Sequence, residues 1–257
     1  MIDVNVNLSH WPTRRLPYDA TPQLVQKLKD AGIAQAWVGS FDGLLHKDIA
    51  GVNARLVEAC VNSGGEFLLP FGSVNPTLPD WREDVRRCAE ELEMPGIRLH
   101  PNYHGYSLDQ PVFAELLDLA GKYGLIVQIA IKMEDERTQH HLLRVDPVDT
   151  SSLVGLLTKR PGLRVVLLNS LRTLRGDAIS QLAAVGRVYF EISMQEGVGG
   201  LTTLLEHCPL DRILFGSHFP FFYLESALLK LRESELAQLQ IDTITRTNAA
   251  QLLSPAS

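Results

Sequence analysis

Eight short apolar runs, separated by longer segments with helical periodicity, constrain this 257-residue chain more than any other feature. The starts of consecutive runs lie 25 to 38 residues apart, the length of one strand with its connecting helix. Several runs, such as LRVVLL and LIVQIAI, are apolar on both faces, as expected of parallel strands covered on both sides. The predicted strands are Ile2–Asn7, Gln35–Ser40, Phe67–Val74, Ile97–His100, Leu125–Ile131, Leu163–Leu168, Val188–Ile192 and Ile213–Gly216.

The segments between these runs have the apolar stripe of helices that pack one face against a sheet. The first begins TPQL, with proline at the first helical position, where its missing N–H is no loss. Eight strand–helix units favour an α/β fold, a single (β/α)8 TIM barrel over residues 1–257 with C-terminal helices; an open doubly wound sheet is the alternative. The predicted helices are Thr21–Ala31, His46–Asn62, Pro79–Glu93, Pro111–Tyr123, Val148–Arg160, Arg172–Val185 and Leu201–His207, with one or two more in Glu225–Leu253.

The composition argues against several classes of function. A net charge of −6 disfavours a general nucleic-acid-binding protein, which needs a basic surface to meet phosphates. No apolar run reaches the roughly 20 residues of a membrane span, and the first residues lack the pattern of a secretory signal. Three cysteines without a CxxC pair predict reduced thiols. We therefore expect a cytoplasmic protein with a small-molecule substrate and no nucleic-acid or membrane partner; a homo-oligomer is left open.

Polar side chains gather where the predicted strands end. In a (β/α)8 barrel these ends form one mouth, so side chains from distant parts of the sequence converge there. Asn5 and Asn7 share one face of the first strand, because side chains alternate along a strand. Since buried amides need hydrogen-bond partners, the convergence predicts a small-molecule site. The other candidates at strand ends are Arg98, His100, Gln128, Lys132, Asn169 and His218.

Two histidines and one arginine are the candidate catalytic residues. Imidazole titrates near neutral pH, so His218 or His100 is expected to act as acid or base. Arg98 should share the strand face of His100, and a guanidinium inside a barrel needs an anionic partner, for which Glu191 is the candidate. Amide groups would position water, stabilise an oxyanion or contact the substrate, and the predicted residues of this kind are Asn5, Asn7, Asn169 and Gln128.

The loop after the fifth predicted strand, IKMEDERTQHHLLRVDP, is rich in charge. As a lid over the barrel mouth it would bring Lys132 or Arg137 onto an anionic group of the substrate. As an ordinary solvated loop it would neither cover the mouth nor contact the substrate. His104, in the loop after the fourth strand, is placed with the substrate-binding residues, although a structural role fits it equally well.

Several segments resemble the amidohydrolase superfamily, in the branch related to aminocarboxymuconate semialdehyde decarboxylase and the lactone hydrolases. The most specific is DRILFGSHFPF, residues 211–221, which matches a segment that normally reads GSD-x-P. The resemblance spans nearly the whole chain through IDVNVNLSHWP, GIRLHPNYHGYSLDQPVF, GLIVQIA, LRVVLLNS and NAAQLL. It implies a (β/α)8 barrel acting on a small carboxylate-bearing substrate.

The resemblance also implies five metal-ligand positions, and the chain departs from the family at every one. Two histidines of the first strand, one each of the fifth and sixth, and an aspartate of the eighth are replaced by Asn5, Asn7, Ala130, Asn169 and His218. Zinc prefers imidazole, thiolate or carboxylate ligands, and amide oxygens are poor substitutes. We expect no tightly bound metal. Zinc or another divalent cation here, or a site relocated to other histidines, is the weaker alternative.

Three functions therefore remain open from the sequence. The preferred one is an amidohydrolase-like hydrolase with a degenerate metal site. The alternatives are a metal-free decarboxylase-like lyase and a barrel that binds a small molecule without turning it over. The fold does not decide among them, because one fold supports many chemistries.

Overall fold

The computed structural model describes residues 1–254, and its eight strands form one parallel sheet in the order β1 to β8. The ends of the sheet meet, because the N–H of Val4 donates to the carbonyl of Phe215 and that of Asn7 to the carbonyl of Phe219. The predicted (β/α)8 barrel is confirmed, and the open sheet is wrong. The strands are β1 (Ile2–Leu8), β2 (Gln35–Ser40), β3 (Leu68–Ser73), β4 (Gly96–Leu99), β5 (Ile126–Ala130), β6 (Arg164–Leu168), β7 (Arg187–Glu191) and β8 (Ile213–Leu214).

Most helices lie within the predicted segments but are shorter. They are α1 (Thr21–Asp30), α2 (Ile49–Ser63), α3 (Trp81–Arg86), α4 (Pro101–His104), α5 (Pro111–Lys122), α6 (Leu153–Thr158), α7 (Asp177–Ala183), α8 (Gly200–Leu205), α9 (Leu224–Arg232), α10 (Gln238–Asp242) and α11 (Asn248–Leu253). The unpredicted α4 directly follows β4 and ends at Gly105, whose φ of 72° favours glycine. None of the helices within residues 1–254 is both long and apolar enough to cross a membrane. The predicted single domain extends to residue 257, and its last three residues lie outside the described part.

Two hydrophobic clusters account for the core. One packs between the sheet and the helices, and on β5 it takes Val127 and Ile129. The other fills the barrel interior and takes Ile126, together with Trp37 and Phe71, whose rings stack with centroids 5.1 Å apart. The interior of the barrel is therefore a packed core, and polar side chains are found above it at the carboxyl ends of the strands.

Candidate functional site

The carboxyl ends of the strands bring nine of the ten predicted site residues into a buried polar layer. Strand register explains the convergence: Arg98 on β4 lies beside Ser73 of β3 on one side and Gln128 of β5 on the other. Each of the nine is at most 8% exposed: Asn5, Asn7, Arg98, His100, His104, Gln128, Lys132, Asn169 and His218. The layer divides into two parts that differ in how well their polar atoms are paired.

The first part contains two sets of hydrogen bonds, one around the buried carboxylate of Glu191 and one around Arg98. Nδ2 of Asn5 donates to Oδ1 of Asn169 at 2.7 Å and to Oε1 of Glu191 at 3.2 Å. Glu191 also accepts from the backbone N–H of Asn169 and from Ser193. Burial raises the pKa of Glu191, and these hydrogen bonds oppose the rise. We call the whole set the amide network; it comprises Asn5, Asn7, Arg98, Gln128, Asn169, Glu191, Ser193 and His218.

Arg98 is the cation of the amide network, and all five N–H groups of its guanidinium donate to neutral oxygens. The acceptors are Oε1 of Gln128 (2.7 Å), Oδ1 of Asn7 and the carbonyl of Val6 (2.8 Å each), and the carbonyls of Trp37 (3.2 Å) and Val4 (3.4 Å). Asp3 and the expected partner Glu191 act on Arg98 through their charge, and neither makes a hydrogen bond to it. Burial lowers the pKa of Arg98 to about 9, which leaves the guanidinium protonated at neutral pH.

His218 is held by both of its ring nitrogens. Nε2 lies 2.8 Å from the carbonyl of Met133, which can only accept, so Nε2 carries the proton. Nδ1 then accepts from Nδ2 of Asn7 at 3.4 Å. Burial lowers the pKa of His218 to about 4, so the ring is neutral at physiological pH. Arg98, Asn7, His218 and the Met133 carbonyl thus form one directed chain of hydrogen bonds.

Backbone irregularities aim several of these side chains. The pairing of β1 with β2 shifts register between Asp3 and Val6, an irregularity of the kind that re-aims side chains at barrel rims. Asn169 and His218 have left-handed φ values of 54° and 57° at the ends of β6 and β8. Such a backbone costs about 1–3 kcal/mol for an ordinary residue, although asparagine tolerates it better. The hydrogen bonds of His218 therefore also hold a strained turn in place.

The second part of the layer lies on the β3–β4 side, and its polar atoms lack partners. We call it the histidine cluster: Ser73, His100, His104 and Tyr106. Among residues 1–254, hydrogen-bond partners are missing for Oγ of Ser73, both ring nitrogens of His100, Nδ1 of His104 and the hydroxyl of Tyr106. The His100 and His104 rings lie 6.0 Å apart, and the His104 and Tyr106 rings 6.4 Å apart, between centroids.

The protonation states within the histidine cluster follow from its few contacts. Nε2 of His104 lies 2.8 Å from the carbonyl of Gly43 and must donate to it, so Nδ1 of His104 is an acceptor. Gly43 also leaves room for Ser73, because a Cβ added there would lie 2.0 Å from Oγ of Ser73. Burial lowers the pKa of both histidines, and the charges of His104, Arg98 and His218 lower that of His100 further. The cluster is therefore neutral and offers both donors and acceptors.

An aromatic cap of Trp11, Phe41 and Phe221 covers both parts. The Trp11 ring lies edge-on to Phe41 at 5.2 Å and to Phe221 at 4.7 Å. Phe221 stacks on His218 at 5.1 Å, and Trp11 lies 6.3 Å from Tyr103 of α4, so the cap spans the mouth from β8 to β4. Trp11 and Phe41 are 2% and 1% exposed, which keeps bulk water from the polar layer.

The two predicted substrate contacts in the charged loop after β5 differ in burial. Lys132 is buried at the base of the loop, where its ammonium pairs with Glu136. The side chain of Arg137 is 82% exposed and pairs with Asp135 at 2.9 Å. The structure therefore leaves Arg137 outside the polar layer, and its role as a substrate contact stays a prediction.

Several residues of the layer were missed in the sequence. Ser73 and Tyr106 received no role, and the Met133 carbonyl gives no signal in a sequence. Asp3 was also missed, although it continues the alternation of Asn5 and Asn7. Its carboxylate is fully buried and accepts from the N–H groups of Asn5 (3.1 Å) and Ser217 (3.0 Å) and from the Ser217 hydroxyl. Burial raises the pKa of Asp3 to about 7.

The positions that the resemblance assigns to metal ligands do not fit a divalent metal. Ala130 has no donor atom, and Asn7 and Asn5 direct their NH2 groups at neighbouring acceptors. The lone pair of His218 is occupied by one of those NH2 groups, and a guanidinium lies beside Asn7. Within residues 1–254 there is no group of three His, Cys, Asp or Glu side chains placed to hold a metal ion.

Comparison with solved structures finds the same fold in decarboxylases. The 5-carboxyvanillate decarboxylase of Sphingomonas paucimobilis has a TM-score of 0.78 at 12% identity, over 100% of this chain and 99% of that one. The 2,6-dihydroxybenzoate decarboxylase of Rhizobium has a TM-score of 0.70 at 17% identity, over 98% of each chain. The dihydroxybenzoic acid decarboxylase of Polaromonas sp. JS666, with bound manganese and the inhibitor 2-nitroresorcinol, scores 0.70 at 14% identity over 98% and 97%. At such identities the likeness establishes the fold.

Sequence comparison assigns the family. No curated protein matches the chain. A family model described as amidohydrolase matches residues 4–254, which is nearly the entire sequence. This chain therefore belongs to the amidohydrolase family.

Proposed function

We propose that the chain binds a small carboxylate at the histidine cluster and decarboxylates it without a resident metal. The observation that supports this most is His100, which is 1% exposed yet has two unpaired ring nitrogens among the described residues. A buried polar group without a partner costs about 1–3 kcal/mol, and a ligand that pairs with it recovers that free energy. The relatives in the comparison are decarboxylases of aromatic carboxylates.

Electrostatics favours an anion beside His100. The guanidinium of Arg98 is close enough to lower the pKa of His100, so it also attracts a carboxylate placed there. Because its own N–H groups are engaged, Arg98 acts on the ligand through its charge. A bound carboxylate raises the pKa of His100, so binding is coupled to uptake of a proton by the imidazole.

Decarboxylation needs a proton donor and no attacking water. The bond between the carboxylate carbon and its neighbour breaks, CO2 leaves, and the electron pair remains on the neighbouring carbon. The imidazolium of His100 delivers its proton to that carbon and is reprotonated from solvent after product release. The aromatic cap excludes bulk water, which strengthens the interaction between the carboxylate and the cationic groups around it.

Hydrolysis, the preferred expectation from the sequence, stays a prediction. A hydrolase without a metal needs a free base to activate water, and both nitrogens of His218 are engaged in hydrogen bonds. This makes His100 the better candidate for proton transfer in either reaction, and the preference for the lyase rests on the decarboxylases among the structural neighbours.

The test is a panel of small molecules followed by chromatography of the products. The panel holds 2,6-dihydroxybenzoate, 5-carboxyvanillate and aliphatic carboxylates, with esters, lactones and amides of similar size. We expect loss of CO2 from a carboxylate, abolished in His100→Gln and retained in the exposed-histidine control His141→Gln. Hydrolysis of an ester, lactone or amide would support the hydrolase instead. Binding without turnover of any compound would support the non-catalytic barrel.

A further inference from the structure

We propose that the Arg98 guanidinium is the resident cation of this barrel and takes the structural place of a divalent metal. The proposal concerns the amide network and does not depend on any substrate. The five positions that the resemblance assigns to metal ligands hold Asn5, Asn7, Ala130, Asn169 and His218 in this chain.

The Arg98 guanidinium is enclosed by oxygen acceptors, one of which belongs to Asn7, at a position that the resemblance assigns to a metal ligand. Its five N–H groups meet five oxygens, and these come from three strands: β1, β2 and β5. Three of the oxygens are backbone carbonyls, which need a donor or a cation when buried. Arg98 is 1% exposed, so water does not supply that donor. The guanidinium therefore ties β1, β2 and β5 together through these oxygens, and the Val4 carbonyl also accepts from Nε2 of Gln128.

The backbone makes room for this cation. A Cβ added to Gly39 on β2 would lie 2.7 Å from Cδ of Arg98 and 2.8 Å from Nη1. Any side chain at this position would displace the arginine, so the glycine and the arginine form a matched pair. The guanidinium is thus built into the barrel wall and is not a mobile side chain waiting for a substrate.

The hydrogen bonds among the residues around Arg98 disfavour binding of a metal ion. Because Oδ1 of Asn7 accepts from Arg98, the NH2 group of Asn7 must face His218 and occupies the lone pair of its Nδ1. A divalent ion brought to these residues would also be repelled by the guanidinium charge. The buried carboxyl groups of Asp3 and Glu191 favour the charged guanidinium where they are ionised.

The first test is elemental analysis of wild-type protein purified without chelators. We expect no stoichiometric zinc, manganese or iron, and no change in Tm on adding EDTA. A stoichiometric divalent metal in the purified protein would overturn the proposal. This measurement decides the question even if variants of Arg98 do not fold.

The second test is chemical rescue of Arg98→Ala. Removing the guanidinium takes a donor from five buried oxygens, of which the Val4 carbonyl keeps its hydrogen bond from Nε2 of Gln128, so Tm should fall by roughly 10 °C or more. Refolding with methylguanidinium should restore much of the loss, while the same compound lowers Tm of the wild type. Arg164→Ala is the control, because Arg164 also donates to backbone carbonyls but is only half-buried at the opposite end of the barrel. A folded Arg98→Ala protein that methylguanidinium does not stabilise would contradict the proposal.

Discussion

The two sides of the barrel mouth contain similar side chains in opposite states. The amide network, which draws on β1, β4, β5 and the carboxyl ends of β6, β7 and β8, pairs its buried polar atoms with one another or with backbone groups. On the side of β3 and β4, the histidine cluster leaves five buried polar atoms unpaired within the described residues. A fully paired network rigidifies a structure, whereas unpaired buried groups gain most from a ligand. This difference supports the proposal that the amide network stabilises the barrel and the histidine cluster binds the ligand.

The largest expected effect tests the claim that the amide network is structural. Glu191→Ala removes the acceptor of the backbone N–H groups of Asn169 and Ser193 and leaves a cavity. We expect a loss of about 5 kcal/mol in the free energy of unfolding, measured by urea denaturation. Glu58→Ala, on the exposed face of α2, is the matched control and should change little. A similar small loss for both variants would show that the network does not hold the barrel.

A pH series tests the buried carboxyl group of Asp3, which lies on β1 together with Asn5 and Asn7 of the amide network. Burial raises the folded-state pKa of Asp3 from 3.8 to about 7, so the folded protein retains a proton that the unfolded chain releases. The stability contributed by this group is therefore complete at low pH and is lost as the pH rises through about 7. Asp3→Asn has no carboxyl group to titrate and does not lose this stability. Its free energy of unfolding should therefore gain roughly 4 kcal/mol relative to that of the wild type between about pH 4 and pH 8. A difference between the two proteins that does not vary with pH would contradict this account.

Replacing one histidine by phenylalanine in the amide network and one in the histidine cluster gives the sharpest contrast. His218→Phe leaves Nδ2 of Asn7 and the carbonyl of Met133 unpaired, and we expect a loss of about 3 kcal/mol. His100→Phe removes an imidazole that has no partner among residues 1–254, and we expect a gain of about 1 kcal/mol together with loss of carboxylate binding. Urea denaturation and calorimetric titration measure these effects. Equal destabilisation by both substitutions would remove the distinction between the two sides.

The smallest expected effect concerns Arg137. Its side chain lies at the surface, paired with Asp135 and away from the polar layer. Arg137→Ala should leave both Tm and carboxylate affinity unchanged, because exposed ion pairs contribute little to stability. A marked loss of affinity would show that the loop after β5 closes over the ligand, as its lid interpretation from the sequence requires.

The fold was predictable because its signal repeats. Eight apolar runs at regular spacing indicate a barrel even when single helices are misjudged, as with 148–160, of which only Leu153–Thr158 is helical. The convergence of Asn5, Asn7, Asn169 and His218 was predictable for a similar reason, since strand ends meet at one mouth.

The pairing within the site was not predictable from the sequence. The partners of Arg98 are mostly backbone carbonyls of β1 and β2, which no residue type in the sequence marks. The proton on Nε2 of His218 depends on the Met133 carbonyl, far away in the chain. Which histidine is engaged and which is free is a property of three-dimensional contacts, and residue types at strand ends do not record it.

The most direct test of the account is a titration of the 15N-labelled imidazoles with 2,6-dihydroxybenzoate, followed by NMR. If the histidine cluster binds the ligand and the amide network is structural, the 15N chemical shifts of His100 and His104 will change on binding. His218 will keep its Nε2–H tautomer. A shift of His218, with His100 and His104 unmoved, would place the ligand in the network and contradict the division of the mouth.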